Sequence, residues 1–266
     1  AWFADQSAAE ATYGHISTWE TSGVTDMSKL FCVRQDWMEG ESWDDCVSEA
    51  SFNEDIGAWD TSGVTSMIMM FEGASSFNQA IGVWTVGEVR QMQGMFKSAH
   101  MFDQDLSAWT VDSVTDMAWM FAWASSFNQN IGGWNVEQVD NMHWMFGHAS
   151  SFNQDIGGWN VEQVTNMHWM FGYASSFNQD IGGWNVENVR DMHWMFGWAS
   201  SFNQDLSWCV GNDVNLDEAF SGSGCCSMSC GVAQQDETGA CQIIDSGGCS
   251  EDHWWHYYHE EDEDDD

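Results

Sequence analysis

Histidine side chains recur at fixed steps along this chain, and histidine binds transition metals and transfers protons near neutral pH. His143, His168 and His193 are spaced 25 residues apart. Three more histidines lie three residues apart near the end of the sequence, at His253, His256 and His259. Because three histidines are a known ligand set for zinc, this last group is a candidate transition-metal site. The alternative is that residues 251–266 form a solvated tail.

Carboxylates form two further series, at steps of 25 or 50 residues. One series is aspartate, at Asp55, Asp105, Asp155, Asp180 and Asp205, and the other is glutamate, at Glu137, Glu162 and Glu187. Stacked carboxylates repel each other, and calcium, which prefers oxygen ligands, would relieve that repulsion. Solvated acids on a salt-tolerant surface are the other interpretation. We therefore expect no cofactor, with calcium as a possible exception.

Catalytic motifs are missing from the sequence. There is no phosphate loop, no G-x-S-x-G and no H-E-x-x-H, and no pair of carboxylates is singled out as in a glycosidase. Side chains repeated in identical series suit repeated contact better than a single reaction centre. We therefore expect a protein that is not an enzyme.

The negative charge of the chain limits the classes of partner that it can bind. It has 42 acidic and 5 basic residues, for a net charge of −37. Such a charge repels nucleic acid and anionic membranes. The hydrophobic fraction of 43% and the 19 tryptophans predict a folded core, but no apolar run is long enough to span a membrane.

The eight cysteines fall into a group of two and a group of six. Cys32 and Cys46 are predicted to pair and to close a loop. The other six, which we expect to pair among themselves, are Cys209, Cys225, Cys226, Cys230, Cys241 and Cys249. An even number of cysteines favours disulfides and an extracellular or cell-surface location. Zinc binding by the dense "CCSMSC" segment is the alternative.

A period of 25 residues dominates the sequence. Phenylalanine recurs at this step from Phe52 to Phe202, and tryptophan from Trp59 to Trp184. A fixed period of this size predicts a solenoid, in which each unit buries its core against its neighbours. In each unit, "IGGWNV" predicts a short strand and the spacing M-x-x-MF predicts a short helix. The predicted fold is a β/α solenoid with parallel strands and a disulfide-rich C-terminal cap.

Four segments follow from this pattern: an N-terminal cap (1–18), the solenoid (19–207) with a disulfide loop inserted at 32–46, a cysteine-rich cap (208–250) and the tail (251–266). All units except the one with Asp103 also have an asparagine in the turn that corresponds to "SSFNQD", and we expect these side chains to bond the buried turn backbone. They are Asn53, Asn78, Asn128, Asn153, Asn178 and Asn203.

The repeated letters W-x-V-x-x-V-x-x-M-x-x-MF-x-x-A-x-x-FN, clearest from Trp134 to Asn203, resemble the BspA-like repeats of bacterial surface proteins. That family is distantly related to leucine-rich repeats. The resemblance covers roughly residues 19–220 and implies a solenoid at a cell surface or outside the cell, usually without catalysis.

A helical wheel separates two sets of side chains in each M-x-x-MF segment. Met142, Met145 and Phe146 point inward, whereas Trp144 and His148 point outward. Over four units the outward positions hold Trp119, Trp123, Trp144, His148, Trp169, Tyr173, Trp194 and Trp198. We call these eight residues the aromatic face. At on the order of 100 Å² each, they would form a patch larger than monomers usually expose.

Three functions are compatible with this pattern. The first is self-association, or formation of a filament, through the aromatic face and the tail, whose aromatic residues are Trp254, Trp255, Tyr257 and Tyr258. The second is an adhesin in which the tryptophans stack on sugar rings. The third is a surface protein that binds calcium or a transition metal. Mutual packing of the aromatic residues within the chain is the structural alternative to all three.

Overall fold

Regular helix occurs near the start of the chain in the computed structural model of the protein. The structure describes residues 2–3, 5–33, 46, 51–225 and 228–243. Helix α1 (Gln6–Tyr13) begins after Asp5, whose side chain accepts a hydrogen bond from the N–H of Ala8 at 2.9 Å, and it ends at Gly14. A 3₁₀ turn, Ile16–Thr18, follows. No helix in these ranges is long and apolar enough to cross a lipid bilayer.

The other regular elements lie in the cysteine-rich cap. Strands β1 (Cys209–Val210), β2 (Ala233–Gln235) and β3 (Cys241–Ile243) form one sheet in that order, and a 3₁₀ turn, Met228–Gly231, precedes β2. β1 and β2 are parallel, and β2 and β3 are antiparallel. The cap therefore continues from the last repeat units as a small sheet.

Disulfides hold both irregular regions, which confirms that the chain is a disulfide-bonded protein. Cys32 is bonded to Cys46, as predicted. In the cap, Cys209 is bonded to Cys241 and joins β1 to β3, and Cys225 is bonded to Cys230. Cys226 and Cys249 lie outside the described residues.

Between these ends, the repeat units are hydrogen-bonded to one another. The N–H groups of residues 142, 144, 146 and 148 donate to the carbonyl groups of residues 166, 168, 170 and 172, at 2.7–3.0 Å. The same pattern recurs from residue 27 to residue 198, always from one unit to the next. Isolated parallel bridges link the residue before each methionine to its counterpart, for example Asn141 to Asn166. Each unit is thus bound to the next through alternate residues of its M-x-x-MF segment.

The predicted strand and short helix of each unit were wrong. The described part of the chain has neither element between residues 51 and 208. Both segments are successions of tight turns, with hydrogen bonds such as Met145 N–H to Met142 O at 3.1 Å and Trp159 N–H to Ile156 O at 3.1 Å. A helix would use its N–H groups within the segment, but here alternate N–H groups bond the next unit. The parallel bridges also lie just before the methionines, not at the Trp-x-Val positions.

The core consists of stacked phenylalanine and tryptophan rings. Within a unit, Phe146 and Phe152 stack with centroids 4.0 Å apart, and Phe146 stacks on Phe171 of the next unit at 5.6 Å. A separate tryptophan series is anchored through the indole N–H: Trp159 Nε1 donates to the carbonyl of Ile131 at 3.2 Å. The residues that the periodicity assigned to the core, Val139, Met142, Phe146, Ala149 and Phe152, are all fully buried.

Candidate interaction surface

The aromatic face forms two parallel columns of stacked rings. In the first column, Trp119, Trp144, Trp169 and Trp194 follow one another with centroid distances of 4.8, 4.7 and 5.0 Å and interplanar angles of 3–13°. In the second, Trp123, His148, Tyr173 and Trp198 follow at 4.9, 4.3 and 6.0 Å. The columns also touch each other, since Trp123 lies 5.1 Å from Trp144. The faces of the inner rings are therefore covered by neighbouring rings of the same chain.

The backbone at these positions has an unusual conformation. All eight residues of the aromatic face have positive φ values, between 52° and 62°. This left-handed region costs a residue with a side chain about 1–2 kcal/mol and is normally left to glycine or asparagine. Gly73 and Gly94 indeed occupy the equivalent positions in earlier units. Because Lys29, Met69 and Ser98 share this conformation at equivalent positions, it is a property of the repeat and not of the aromatic residues.

Glycines make room for the first column. A Cβ on Gly147, Gly172 or Gly197 would clash with Cε3 of the tryptophan three residues earlier. The edge of each of these indole rings therefore packs against the glycine of its own unit. The glycine at the edge and the stacked rings of neighbouring units together fix the orientation of the tryptophan.

The rings expose less surface than the sequence predicted. Exposure ranges from 8% for Trp194, which is buried rather than outward-facing as predicted, to 39% for Tyr173. An aromatic side chain has a surface of roughly 200 Å², and about a fifth of it is exposed here on average. The exposed area of the eight rings together is therefore on the order of 300 Å². That is the size of an ordinary patch on a monomer. Because the rings pack against each other, mainly their edges reach solvent.

The surface around the aromatic face has no carboxylates in its own segments. Residues 117–129, 142–154, 167–179 and 192–204 contain no Asp or Glu, in a chain that has 42 of them. The acids of these units lie in the other half of each repeat, where Asp155, Glu137 and Glu162 are exposed. The segments that carry the aromatic face are therefore free of acids, and Asp191 lies beside them, 3.5 Å from His168.

A buried ion pair lies at one end of the aromatic columns. Lys97 Nζ is 2.9 Å from Glu72 Oε1, and the Glu72 side chain is fully buried. The same ammonium group lies 4.9 Å from the ring centroid of Trp119 and 6.0 Å from that of Trp123, which is within cation–π range. Burial raises the pKa of Glu72, and the charge of Lys97 opposes that rise. This pair was not predicted from the sequence, although Glu72 and Lys97 occupy the position held by glycine in later units.

A column of histidines lies beside the tryptophans. His143 and His168 are 5.6 Å apart by ring centroids, and His168 and His193 are 5.1 Å apart. Burial lowers the pKa of His143, and the neighbouring His168 lowers it further. Burial also lowers the pKa of His168, against the attraction of Asp191, whose Oδ2 lies 3.5 Å from His168 Nδ1. In the aromatic columns, burial lowers the pKa of His148.

The remaining candidate residues have local roles or lie outside the described ranges. Asn153 Oδ1 accepts hydrogen bonds from the N–H of Asn178 and from Gln179 Nε2, at 2.9 and 3.0 Å, and this pattern recurs along the asparagine series. Asp155 is exposed, and its side chain accepts a bond from the N–H of Gly157 at 3.0 Å. In the described part of the chain, no three His, Cys, Asp or Glu side chains are placed to hold a metal ion. The tail residues 251–266, with their histidines and aromatic side chains, lie outside the described ranges.

The chain matches a family of known sequences. A family model described as "Mycoplasma protein of unknown function, DUF285" matches residues 2–130 and 124–229. No curated protein and no solved structure matches the chain.

Proposed function

The chain belongs to the DUF285 family, and we propose that it is a non-enzymatic repeat protein of the cell surface or extracellular space that binds a second copy of itself through the aromatic face. In this proposal the units form a solenoid of the BspA-like kind, which serves as a scaffold. The three disulfides support an oxidising, non-cytosolic compartment.

The absence of carboxylates from the four segments that carry the aromatic face is the observation that carries the proposal. A net charge of −37 makes contact between copies unfavourable almost everywhere on the molecule. The aromatic face is the exception, because its four segments have no carboxylates and its rings are already partly desolvated. Two such faces can approach with the least repulsion and can bury the exposed ring edges together.

The size of the face predicts a weak contact. Roughly 300 Å² of aromatic surface per copy is below the roughly 800 Å² that each partner buries in a standard interface. Association should therefore depend on concentration and should strengthen with salt, which screens the acids around the rim over about 8 Å at 0.15 M. If the same face is used by both copies, the contact closes at a dimer.

Sugar stacking is less well supported than self-association. A carbohydrate ring stacks on the open face of an aromatic ring, but both faces of Trp144 and Trp169 are covered by neighbouring rings at 4.7–5.0 Å. For calcium or transition metals, the described residues offer no preassembled ligand set. These two alternatives remain possible outcomes of the tests below.

The test is to footprint the aromatic face at low and high protein concentration. We expect oxidation of Tyr173 and Trp144 by hydroxyl radicals to slow when copies associate. Trp144→Asn with Trp169→Asn should abolish the effect, since asparagine tolerates positive φ and should leave the fold intact. The control is Glu137→Gln with Glu162→Gln, which changes two exposed acids on another side of the units. Unchanged oxidation of Tyr173 at all concentrations, in a protein that binds a glycan, would reverse the order of the two hypotheses.

A further inference from the structure

A groove lies between the N-terminal segment and the first repeat unit. The chain covers the end of that unit itself, because Phe3 packs edge-on against Phe31 at 6.0 Å and Phe31 is 2% exposed. The space that remains has a volume of about 790 Å³. Small-molecule sites in proteins have volumes of about 300–1,000 Å³. The groove is therefore large enough to hold a small ligand within one molecule.

Aromatic rings line this groove, and several of them meet at right angles. Trp2 and Trp19 have centroids 5.9 Å apart and planes at 85°, and Tyr13 meets Trp19 in the same way at 6.3 Å and 76°. A perpendicular pair covers fewer ring faces than a stacked pair does, and its faces point in different directions. Proteins hold ammonium groups between rings arranged in this way, because the negative face of each ring attracts a cation. The lining rings are Trp2, Phe3, Tyr13, Trp19, Phe31 and Trp59.

The charged side chains of the groove are carboxylates. Glu20 and Asp26 line it, and no lysine or arginine is among its described lining residues. The N–H groups of Ser22 and Ser28 donate to Glu20 Oε1 at 3.0 Å and to Asp26 Oδ1 at 2.8 Å. Hydrogen bonds from the side chain and backbone of Ser22 lower the pKa of Glu20, and those from Ser28 lower the pKa of Asp26. Both carboxylates are therefore negatively charged at neutral pH.

We propose that this groove binds a small soluble organic cation, an ammonium group carried on an apolar body. The ammonium group would lie against the rings of Trp19 and Tyr13, beside the two carboxylates. The apolar body would cover Leu30, which is 44% exposed, and Val24, which is half-buried. Tyr13 is 64% exposed and would also be covered. The net charge of −37 favours the approach of any cation.

The hydrogen-bonding groups of the groove disfavour other ligands. Three donors among the lining residues, Thr18 Oγ1, Thr21 Oγ1 and Trp19 Nε1, already bond carbonyl groups of the chain at 2.7–3.1 Å. A sugar needs both donors and acceptors, and an anion would be repelled by Glu20 and Asp26. An apolar cation needs only ring faces and negative charge, which the groove provides.

The experiment compares three probes that share a benzyl group, by isothermal titration calorimetry of the intact, disulfide-bonded protein. Benzyltrimethylammonium carries the cation, benzyl alcohol is neutral, and phenylacetate carries the opposite charge. We expect benzyltrimethylammonium to bind at least about tenfold more tightly than benzyl alcohol. Phenylacetate should not bind. Affinity for the cation should fall as salt is added, because the carboxylates are exposed and salt screens them.

Charge variants test the carboxylates. Glu20→Gln with Asp26→Asn removes both charges but keeps oxygen atoms that can accept the bonds from Ser22 and Ser28. This variant should bind benzyltrimethylammonium at least about tenfold more weakly and benzyl alcohol as the native protein does. The control is Glu137→Gln with Glu162→Gln, which removes the same charge from later units and should leave the affinity unchanged.

Ring variants test the aromatic contact. Tyr13→Ala should weaken binding of the cation several-fold, whereas Tyr13→Phe keeps the ring and should bind it as the native protein does. Because Tyr13 is largely exposed, neither change should disturb the fold, which circular dichroism can verify.

Several results would overturn the proposal. It fails if benzyltrimethylammonium does not bind, or binds no better than benzyl alcohol. It also fails if the variant of Glu20 and Asp26 keeps the native affinity, or if the control variant loses as much, since the protein would then respond to net charge alone. Binding to phosphatidylcholine vesicles without binding of the free cation would assign the groove to a membrane surface instead. The aromatic face begins at Trp119, outside the groove, so none of these results bears on self-association.

Discussion

Replacement of Lys97 measures how much the stability of the fold depends on the one buried ion pair in the described residues. Lys97 lies 2.9 Å from Glu72, whose side chain is fully buried and whose carboxylate oxygens accept no hydrogen bond from any other described group. Breaking a buried pair by removing one partner costs about 3–5 kcal/mol, because an uncompensated charge is left inside. We therefore expect Lys97→Met to lower the free energy of unfolding by roughly that amount at pH 7, reduced somewhat by the nearby charge of Lys29.

The pH dependence of the stability lost in Lys97→Met tests whether the buried charge of Glu72 causes the loss. Burial already raises the pKa of Glu72 above its ordinary value of 4.5, and loss of Lys97 removes the attraction that opposes this rise. A carboxyl group with a raised pKa binds more protons in the folded state than in the unfolded state, so its contribution to stability falls as pH rises from 4.5 through the folded pKa. The difference between Lys97→Met and the native protein should therefore be largest at pH 7 and should shrink towards pH 4.5.

The chain itself provides the control. In later units, the position of Glu72 and Lys97 is held by Ala122, Gly147 and Gly172. Glu72→Ala with Lys97→Ala should consequently be nearly neutral, since replacing both members of a buried pair by apolar residues often costs little. The assay is urea unfolding of the oxidised protein, monitored by tryptophan fluorescence and by circular dichroism, with coincidence of the two as the check on a single transition. A loss below about 1 kcal/mol for Lys97→Met, or one equal at pH 7 and pH 4.5, would refute the reasoning.

Two further predictions concern close packing and pH. Gly157→Ala places a Cβ 2.5 Å from the carbonyl oxygen of Asp180 and should lower the free energy of unfolding in urea by about 1–3 kcal/mol. Gly158→Ala is the control, because its Cβ meets nothing within 4 Å and the change should be neutral or stabilising by up to about 1 kcal/mol. Equal effects of the two changes would contradict the close approach of the units. Burial lowers the pKa of His148 in the folded state below its ordinary 6.5, so the unfolded state binds the proton more readily and the free energy of unfolding should fall as pH drops below 6.5. His148→Tyr, which copies Tyr173 of the next unit, should reduce that fall measurably in thermal unfolding. An unchanged pH profile would show that His148 does not contribute.

The sequence predicted the buried residues of each unit correctly but not the elements that carry them. Met142, Met145, Phe146 and Ala149 have the spacing of one helical face, and all four are buried. A run of turns with bonds from residue i to residue i−3 produces nearly the same spacing, as Met145 to Met142 and Ala149 to Phe146 show. Periodicity reports which side chains face inward, so it could not distinguish a helix from turns whose other N–H groups bond the next unit.

The aromatic face was predicted from the same spacing, but its internal stacking was not. The wheel places Trp144 and His148 outward, and both are half-buried in the structure because neighbouring units bring equivalent rings to within 4.7–4.9 Å. That distance is set by the spacing of the units, which a single repeat does not reveal. A signal was nevertheless present: a glycine follows Trp144, Trp169 and Trp194 by three residues, and the edge of each ring packs against it. The pair of Glu72 and Lys97 could have been found by asking which charged residues replace that glycine.

The unfavourable backbone of the aromatic face is offset by packing within the chain. Its eight residues have positive φ, a conformation that glycine would adopt at no cost, as Gly94 does. That conformation costs about 1–2 kcal/mol per residue, whereas stacking returns about 0.5–1.5 kcal/mol per ring pair in addition to the burial of ring surface. Internal packing therefore explains why aromatic residues are tolerated at these positions. The proposed contact between copies rests instead on the exposed ring edges and on the absence of carboxylates from the four segments that carry them.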